Sequence, residues 1–128
     1  MKRISFPLFI VSTLFLFWSL VSFDKADGFE TVSAEKFAKL LADTTVQIVD
    51  VRSEAEFAAG HLERAIMIDV RQPDFEKKAI ASLDKNCHLA VYCRSGARSA
   101  KAAKILVSLG YKKVYNLEGG YKNYPYKK

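Results

Sequence analysis

The alternation of short apolar runs with helix-forming segments constrains the fold of this chain more than any other sequence feature. The runs at 46–50, 89–92 and 114–117 have the length and composition of buried strands. The segments at 34–41 and 101–109 carry apolar residues at helical spacing. Strands that alternate with helices predict an α/β fold of three layers, in which a mostly parallel sheet is covered by helices on both faces.

The remaining elements are predicted from shorter patterns and from helix caps. Ser53 and Glu56 form a capping-box pattern, which predicts a short helix that ends at Gly60. We also expect strands at 29–32 and 66–68, a helix from 73 to 83, and a final helical turn that runs to Pro125.

A cysteine follows the apolar run 89–92 and begins the polar segment Cys-Arg-Ser-Gly-Ala-Arg-Ser, residues 93–99. This segment is predicted to be a loop between a strand and a helix, where backbone N–H groups and the helix dipole attract negative charge. Ligands of open α/β sheets bind at this end of the strands. Because Arg94 and Arg98 add positive charge, we expect Cys93 to have a lowered pKa and to react as a thiolate.

This loop resembles the active-site pattern Cys-Arg-x-Gly-x-Arg-Ser of the rhodanese family, with Cys93 in the position of the sulfur-carrying cysteine. Residues 49–52, 56–57 and 60–62 are similar to the family's first signature, and Leu-Glu-Gly-Gly at 117–120 is similar to its C-terminal signature. Arg64 departs from the pattern, because glycine is usual there. The resemblance implies a single-domain, exported-type rhodanese with a five-stranded sheet.

The resemblance also implies a reaction, that of a thiosulfate sulfurtransferase. Cys93 would take a sulfane sulfur from thiosulfate or a similar donor, form a persulfide, and pass the sulfur to cyanide or a thiol in a ping-pong cycle. The backbone N–H groups of the loop would hold the charged sulfur. The residues expected to bind substrate are Arg94, Ser95, Gly96, Ala97, Arg98 and Ser99.

The two loop arginines have different expected places. We favour Arg98 for the loop itself and Arg94 for the solvent-facing mouth, where a planar guanidinium suits an anionic donor. The alternative for either arginine is an ion pair with the scaffold, through Asp50 or Glu118.

Asp50, Arg52 and His61 are supporting candidates near the same sheet edge. An ion pair or a turn explains Asp50 most simply, and a histidine that holds its own loop is favoured over a catalytic base at 61. The histidines and cysteines lack metal-ligand spacing, so no metal site is predicted. Neither a G-x-G-x-x-G nor a Walker A motif is present in the sequence, and no cofactor is expected.

The chain has two cysteines, Cys87 and Cys93. If 87–92 is a strand, it separates them by about 20 Å, far beyond the roughly 7 Å between Cα atoms that a disulfide permits. We therefore predict no intramolecular disulfide, and we expect Cys87 to be a small core residue.

The first residues form a separate region. Residues 4–23 carry no charge and follow Lys2 and Arg3, which is typical of a signal peptide. We predict cleavage after Gly28, which leaves a rhodanese domain at 29–128. The alternative is an uncleaved membrane anchor, because twenty uncharged residues can cross a bilayer. Both place the domain outside the cytoplasm, in the periplasm or cell envelope.

Charge indicates which partners to expect. Residues 29–128 hold 17 Lys and Arg and 12 Asp and Glu, a formal charge of +5 that would attract small anions. The lysines are scattered, so nucleic-acid binding is not predicted. A membrane is a partner only if the N-terminal segment stays attached, and the sequence leaves the oligomeric state open.

Three other functions compete with sulfur transfer. Phosphatases and arsenate reductases place five residues between the cysteine and the arginine of their loops, whereas four separate Cys93 from Arg98. The shorter loop predicts a tighter cradle, suited to one sulfur atom rather than a phosphate. A persulfide carrier loaded by a protein partner is the second alternative. An inactive domain is disfavoured, because the cysteine and both arginines are present.

Overall fold

The structure, a computed structural model, describes residues 28–127. These residues form a five-stranded sheet in which all paired neighbours are parallel and the strand order is β1-β5-β4-β2-β3. The strands are β1 (Glu30–Val32), β2 (Gln47–Asp50), β3 (Ile66–Met67), β4 (Leu89–Tyr92) and β5 (Val114–Leu117). The predicted α/β fold with a five-stranded parallel sheet is confirmed.

Helices cover both faces of the sheet, as predicted. They are α1 (Ala34–Leu41), α2 (Glu54–Ala59), α3 (Phe75–Ser82) and α4 (Ala97–Ser108), followed by a 3-10 turn at Tyr121–Asn123. One apolar cluster buries side chains of α3 and α4 against one face, and a second buries Phe37 of α1 against the other. Parallel strands joined by helical crossovers require this coverage, because both faces are apolar.

Local sequence signals determine where the first two helices begin. The Ser33 side chain accepts a hydrogen bond from the Lys36 N–H at 3.2 Å and so caps α1. In α2, the capping box is complete: Ser53 accepts from the Glu56 N–H, and the Glu56 carboxylate accepts from the Ser53 N–H at 3.1 Å. These caps satisfy N–H groups that the helices cannot pair internally.

Strand β4 positions the candidate site. It lies between β5 and β2, and all four of its residues are buried. In the register with β2, Asp50 lies opposite Tyr92, the last residue of β4. Cys93 therefore leaves the sheet at the carboxyl end of its central strand, beside the end of β2.

Two sequence predictions are wrong in detail. Helix α4 begins at Ala97 rather than near Lys101, because Gly96 takes a φ of 112° and turns the chain directly into the helix. Cys87 is not a core residue; it is half-buried in the turn before β4. Both cysteines are free.

The predicted signal peptide or anchor, residues 1–28, lies outside the described residues apart from Gly28. Among the helices of residues 28–127, none combines the length and apolar character needed to cross a membrane.

Arg64 is the described non-glycine residue with a positive φ, at 69°. Its side chain donates a hydrogen bond to the Leu41 carbonyl at 2.7 Å. The family pattern has glycine at this position, and the backbone explains why: a side chain in the left-handed region crowds its own carbonyl.

We predict that Arg64→Gly is more stable than Arg64→Ala by about 0.5–1 kcal/mol. Both variants lose the bond to Leu41, but only alanine keeps the left-handed strain of about 1–2 kcal/mol, which exceeds the extra unfolded-state entropy of glycine, about 0.4–1 kcal/mol. Urea unfolding of the two variants measures the difference. An alanine variant more stable than the glycine variant by about 0.4–1 kcal/mol, the entropy term alone, would show that residue 64 carries no backbone strain.

Candidate active site

The Cys93 thiol lies inside the turn that joins β4 to α4, with 1% of the residue exposed. The Gly96 N–H donates a hydrogen bond to its Sγ atom at 3.0 Å, and the Ser99 hydroxyl donates at 3.3 Å. Ser99 is buried in the first turn of α4, so the helix N-terminus itself faces the sulfur. Backbone donors and the helix dipole both favour a negative charge at this point.

These contacts set the protonation of the thiol. Burial raises the pKa of Cys93, but hydrogen bonds from the Ser99 hydroxyl and from the N–H groups of Ser99, Gly96 and Ser95 outweigh it and lower the pKa below its ordinary value. The predicted direction is confirmed. The loop therefore holds Cys93 ready to act as a thiolate.

The Arg98 guanidinium is bound to Glu56 of α2, and it lies close enough to Cys93 for a negative charge on the sulfur to raise the pKa of Arg98. Its Nη1 and Nη2 atoms donate to the two carboxylate oxygens of Glu56 at 2.8 and 2.9 Å. This is a scaffold ion pair, but Glu56 is the partner rather than Asp50 or Glu118. The hydrogen bonds from Arg98 hold the pKa of Glu56 far below its usual range. The sequence signal for Glu56 was its place in the capping box and the family signature, and neither indicates Arg98.

Arg94 is exposed, as expected for the mouth of the site. It borders a hollow of about 190 Å³, whose other lining residues are Arg52, Glu56, Ala59, Gly60, Tyr121 and Lys122. Ser95 and Ala97 are exposed on the same turn. Of the two loop arginines, Arg94 is the one whose guanidinium faces solvent beside the hollow.

Asp50 and Arg52 form a buried ion pair beside the loop. Arg52 Nε donates to Asp50 Oδ1 at 2.9 Å and Nη2 to Oδ2 at 2.6 Å, with Asp50 0% and Arg52 4% exposed. The Tyr92 hydroxyl donates to the same Oδ2 at 2.6 Å. Burial, and then the bond to Asp50, raise the pKa of Tyr92, so its phenol remains a donor. The ion-pair explanation of Asp50 fits this geometry.

His61 holds its own loop. Its Nδ1 lies 2.9 Å from the Phe57 carbonyl, and its ring stacks on Phe57 with centroids 3.7 Å apart. It borders a different hollow, of about 570 Å³, together with Arg64 and Tyr124. These contacts fit the favoured structural role and give no geometry for a base acting on Cys93.

Two residues beyond β5 hold the cysteine loop in place, and no sequence signal indicated them. The Tyr121 N–H donates to the Cys93 carbonyl at 2.8 Å, and the Lys122 N–H donates to the Arg94 carbonyl at 3.0 Å. Gly120, with a φ of 69°, permits this approach, because a Cβ atom there would collide with the Arg94 carbonyl group. The predicted turn at Gly119–Gly120 is therefore packed against the cysteine loop.

Within residues 28–127, no group of three or more His, Cys, Asp or Glu side chains is placed to hold a metal ion.

A buried thiol of lowered pKa, at the carboxyl end of a central parallel strand, is the geometry of a nucleophilic cysteine in an α/β protein. Residues 33–125 match the family model described as "Rhodanese-like domain". The chain therefore belongs to the rhodanese family, as its motifs indicate.

Sulfurtransferases are among the relatives that this chain matches, which also include tRNA uridine(34) hydroxylases. Thiosulfate sulfurtransferase 18 from Arabidopsis thaliana is 36% identical over 114 residues, which cover 80% of this chain and 83% of the relative. A sulfurtransferase from Allochromatium vinosum is 36% identical over 90 residues, covering 70% of this chain and 81% of its own. The structure of the human single-domain sulfurtransferase TSTD1 superposes with a TM-score of 0.60 at 31% identity, covering 77% of this chain and 96% of that one. These similarities support sulfurtransferase activity.

We predict that Glu56→Gln destabilises the protein by about 1 kcal/mol at pH 7, because it breaks a charge-assisted pair that is partly exposed. A carboxyl whose folded pKa is lowered contributes stability above its unfolded pKa of about 4.3 and loses it as the pH falls. The difference from the unaltered protein should therefore stay constant down to about pH 5 and then shrink steadily as the pH falls toward about pH 2.

Urea unfolding across this pH range measures the effect. Glu54→Gln, an exposed change in the same turn of α2, is the matched control and should show a smaller difference at pH 7. A Glu56→Gln deficit that stays constant with pH would show that the ion pair does not stabilise the folded state.

Proposed function

We propose that this protein is a sulfurtransferase that moves a sulfane sulfur from thiosulfate, or a similar donor, to cyanide or a thiol through a persulfide on Cys93. The observation that carries the proposal is the Sγ atom of Cys93, which receives the Gly96 N–H at 3.0 Å and the Ser99 hydroxyl at 3.3 Å. The sulfurtransferase relatives support the reaction class.

The first half-reaction loads the cysteine. The Cys93 thiolate attacks the outer sulfur of thiosulfate, and the bond between the two thiosulfate sulfurs breaks. Sulfite leaves with the electron pair of that bond, and the enzyme holds a persulfide whose terminal sulfur is negative. The N–H groups at the start of α4 then hydrogen-bond to anionic sulfur, which stabilises the covalent intermediate.

The second half-reaction unloads it. Cyanide or a thiolate attacks the terminal sulfur, the bond to Sγ breaks, and Cys93 regains its electron pair as a thiolate. The products are thiocyanate or a new persulfide. Electrons and atoms balance without an oxidant or a cofactor, because each half-reaction exchanges one sulfur–sulfur bond for another bond to sulfur.

The Ser99 hydroxyl can change its hydrogen-bond acceptor as the charge on the sulfur changes during this cycle. Its hydroxyl has one proton and two acceptors within range: Cys93 Sγ at 3.3 Å and the Gly96 carbonyl at 3.2 Å. When sulfur carries negative charge the proton favours sulfur, because a hydrogen bond to an ion is stronger than one to a neutral group. When the thiol is protonated, the carbonyl remains as the partner.

The two arginines would divide the work of anion handling. Arg98 donates two of its five N–H groups to Glu56 and so joins α4 to α2. Arg94 is exposed at the mouth, and the Lys122 side chain borders the same hollow. We assign the capture of the anionic donor to Arg94.

The location of the protein is part of the proposal. We propose that the uncharged residues 4–23 direct export and that cleavage leaves Phe29 as the first residue. In an envelope compartment the donor and acceptor would be small diffusible molecules rather than cytoplasmic carriers.

We predict that the protein, incubated with thiosulfate, gains the mass of one sulfur atom and loses it when cyanide is added. Cys93→Ala should show no gain, whereas Cys87→Ser, which alters the half-buried thiol at the other end of β4, should gain sulfur normally. Intact-mass spectrometry of protein expressed with its own N-terminus measures both points, since the same spectrum shows whether the chain begins at Phe29.

A mass gain in Cys93→Ala would place the reactive sulfur elsewhere and overturn the assignment. A protein that accepts sulfur only from a protein donor, and never from thiosulfate, would be the persulfide carrier instead.

We predict that Arg94→Ala raises the KM for thiosulfate about tenfold, equivalent to about 1.4 kcal/mol of binding, with little change in kcat. The loss is expected because an exposed guanidinium binds donor and transition state alike. Steady-state thiocyanate formation measures both constants. Arg71→Ala, which removes an exposed arginine from the loop after β3, is the control, and equal KM values for the two variants would contradict the role of Arg94.

A further inference from the structure

Protein stability alone does not explain why Asp50 and Arg52 form a buried ion pair. Removing two charges from water costs about as much as their attraction returns, so a buried ion pair is weak evidence for a stabilising role. Here the pair forms further bonds: Arg52 Nη2 donates to the Gly60 carbonyl at 2.7 Å, and the Tyr92 hydroxyl donates to Asp50. Two tyrosines, Tyr92 and Tyr121, connect this pair to the cysteine loop.

Tyr92 is the first of two connections. It immediately precedes Cys93, and its hydroxyl is fixed twice, because it donates to Asp50 Oδ2 at 2.6 Å and accepts the Leu62 N–H at 3.0 Å. These two hydrogen bonds fix the side chain of Tyr92, the residue directly before the cysteine.

Tyr121 is the second connection. The Arg52 guanidinium lies 4.5 Å from the centroid of its ring, and the Tyr92 ring stacks on it with centroids 5.8 Å apart. A cation this close to an aromatic face is attracted by its quadrupole. The backbone N–H of the same residue donates to the Cys93 carbonyl at 2.8 Å. One residue thus joins the buried ion pair to the peptide that follows the reactive cysteine.

We propose that Tyr121 is a positioning residue for sulfur transfer: Arg52 and Tyr92 hold its ring, and its backbone N–H fixes the Cys93 carbonyl so that the Gly96 N–H remains directed at Sγ. This role deepens the proposed function and rests on it, because it concerns the same cysteine. Tyr121 itself does not contact Sγ in the structure.

The geometry explains why the carbonyl matters. A change in the backbone angle ψ of Cys93 would turn this carbonyl and swing the chain that follows it, including the N–H groups of Ser95 and Gly96. The Tyr121 and Lys122 N–H groups hold two successive carbonyls of this turn. When the ring of Tyr121 is lost, the 3-10 turn loses its packing against Arg52 and Tyr92. It keeps its backbone hydrogen bonds, the bond from Asn123 Nδ2 to the Gly119 carbonyl at 3.1 Å, and the bond from Lys127 Nζ to the Tyr121 carbonyl at 2.8 Å.

The test compares Tyr121→Leu with Tyr115→Leu and Tyr121→Phe, all in a Cys87→Ser background. Tyr115 is a half-buried tyrosine on β5 whose ring faces Lys36 at 5.8 Å, so its replacement by leucine removes a similar aromatic contact outside the cysteine loop. Tyr121→Phe keeps the ring. The measurement is the rate of Cys93 alkylation by iodoacetamide against pH, which reports the thiolate without requiring sulfur transfer.

We expect the alkylation midpoint of Tyr121→Leu to rise by about one pH unit, since weaker hydrogen bonding to the thiolate favours the protonated form. Persulfide formation from thiosulfate at a pH below both midpoints should fall about tenfold in parallel. Tyr115→Leu should keep the unaltered midpoint, and Tyr121→Phe should restore it.

A midpoint that does not move in Tyr121→Leu overturns the positioning role. An equal shift in Tyr115→Leu also overturns it, because general loosening of the fold would then explain the effect. If the midpoints shift as expected but no variant, including the unaltered protein, forms a persulfide from thiosulfate, then the positioning role stands and the proposed donor is wrong.

Discussion

The pairing of β4 on both edges is the constraint on which the rest of this structure depends. A strand that is hydrogen-bonded to β5 and β2, and buried along its whole length, ends at a fixed point. Cys93 is placed at that point, where the chain must leave the sheet and begin a helix within a few residues. Gly96 makes this sharp turn possible, and its own N–H is one of the donors that the turn directs at the sulfur.

Charge at this end of the sheet includes two ion pairs, and the exposed Arg94 and Lys122 border the mouth. Asp50 pairs with Arg52 below the loop, and Glu56 pairs with Arg98 at its side. Arg94 is left facing solvent. The thiol is therefore activated mainly by hydrogen bonds from its own turn. These donors are backbone N–H groups and a hydroxyl that the fold holds in place, so they stabilise negative charge on the sulfur without having to rearrange.

The fold was largely predictable from the sequence, because strand and helix periodicities and the caps at Ser33 and Ser53 are local signals. The cysteine and its donors were also predictable, since they lie within one seven-residue motif. The ion pair of Arg98 with Glu56 and the bond from Tyr121 to the cysteine loop were not predictable, because each contact joins segments that are distant in sequence. Helix α4 begins before its predicted start because residues 97–99 belong both to the loop motif and to the first helical turn. Their polar composition indicated a loop rather than a helix.

The position of the two thiols has a consequence for how the protein can turn over. Cys87 precedes β4 and Cys93 follows it, so a strand of fixed length, about 20 Å at its usual rise with the flanking residues, stands between them. No internal thiol can act as a resolving cysteine for whatever Cys93 acquires. Whether Cys93 carries a sulfane sulfur or an oxidative adduct, a separate molecule must remove it. The concentration of that molecule therefore determines how long the modified state of Cys93 persists.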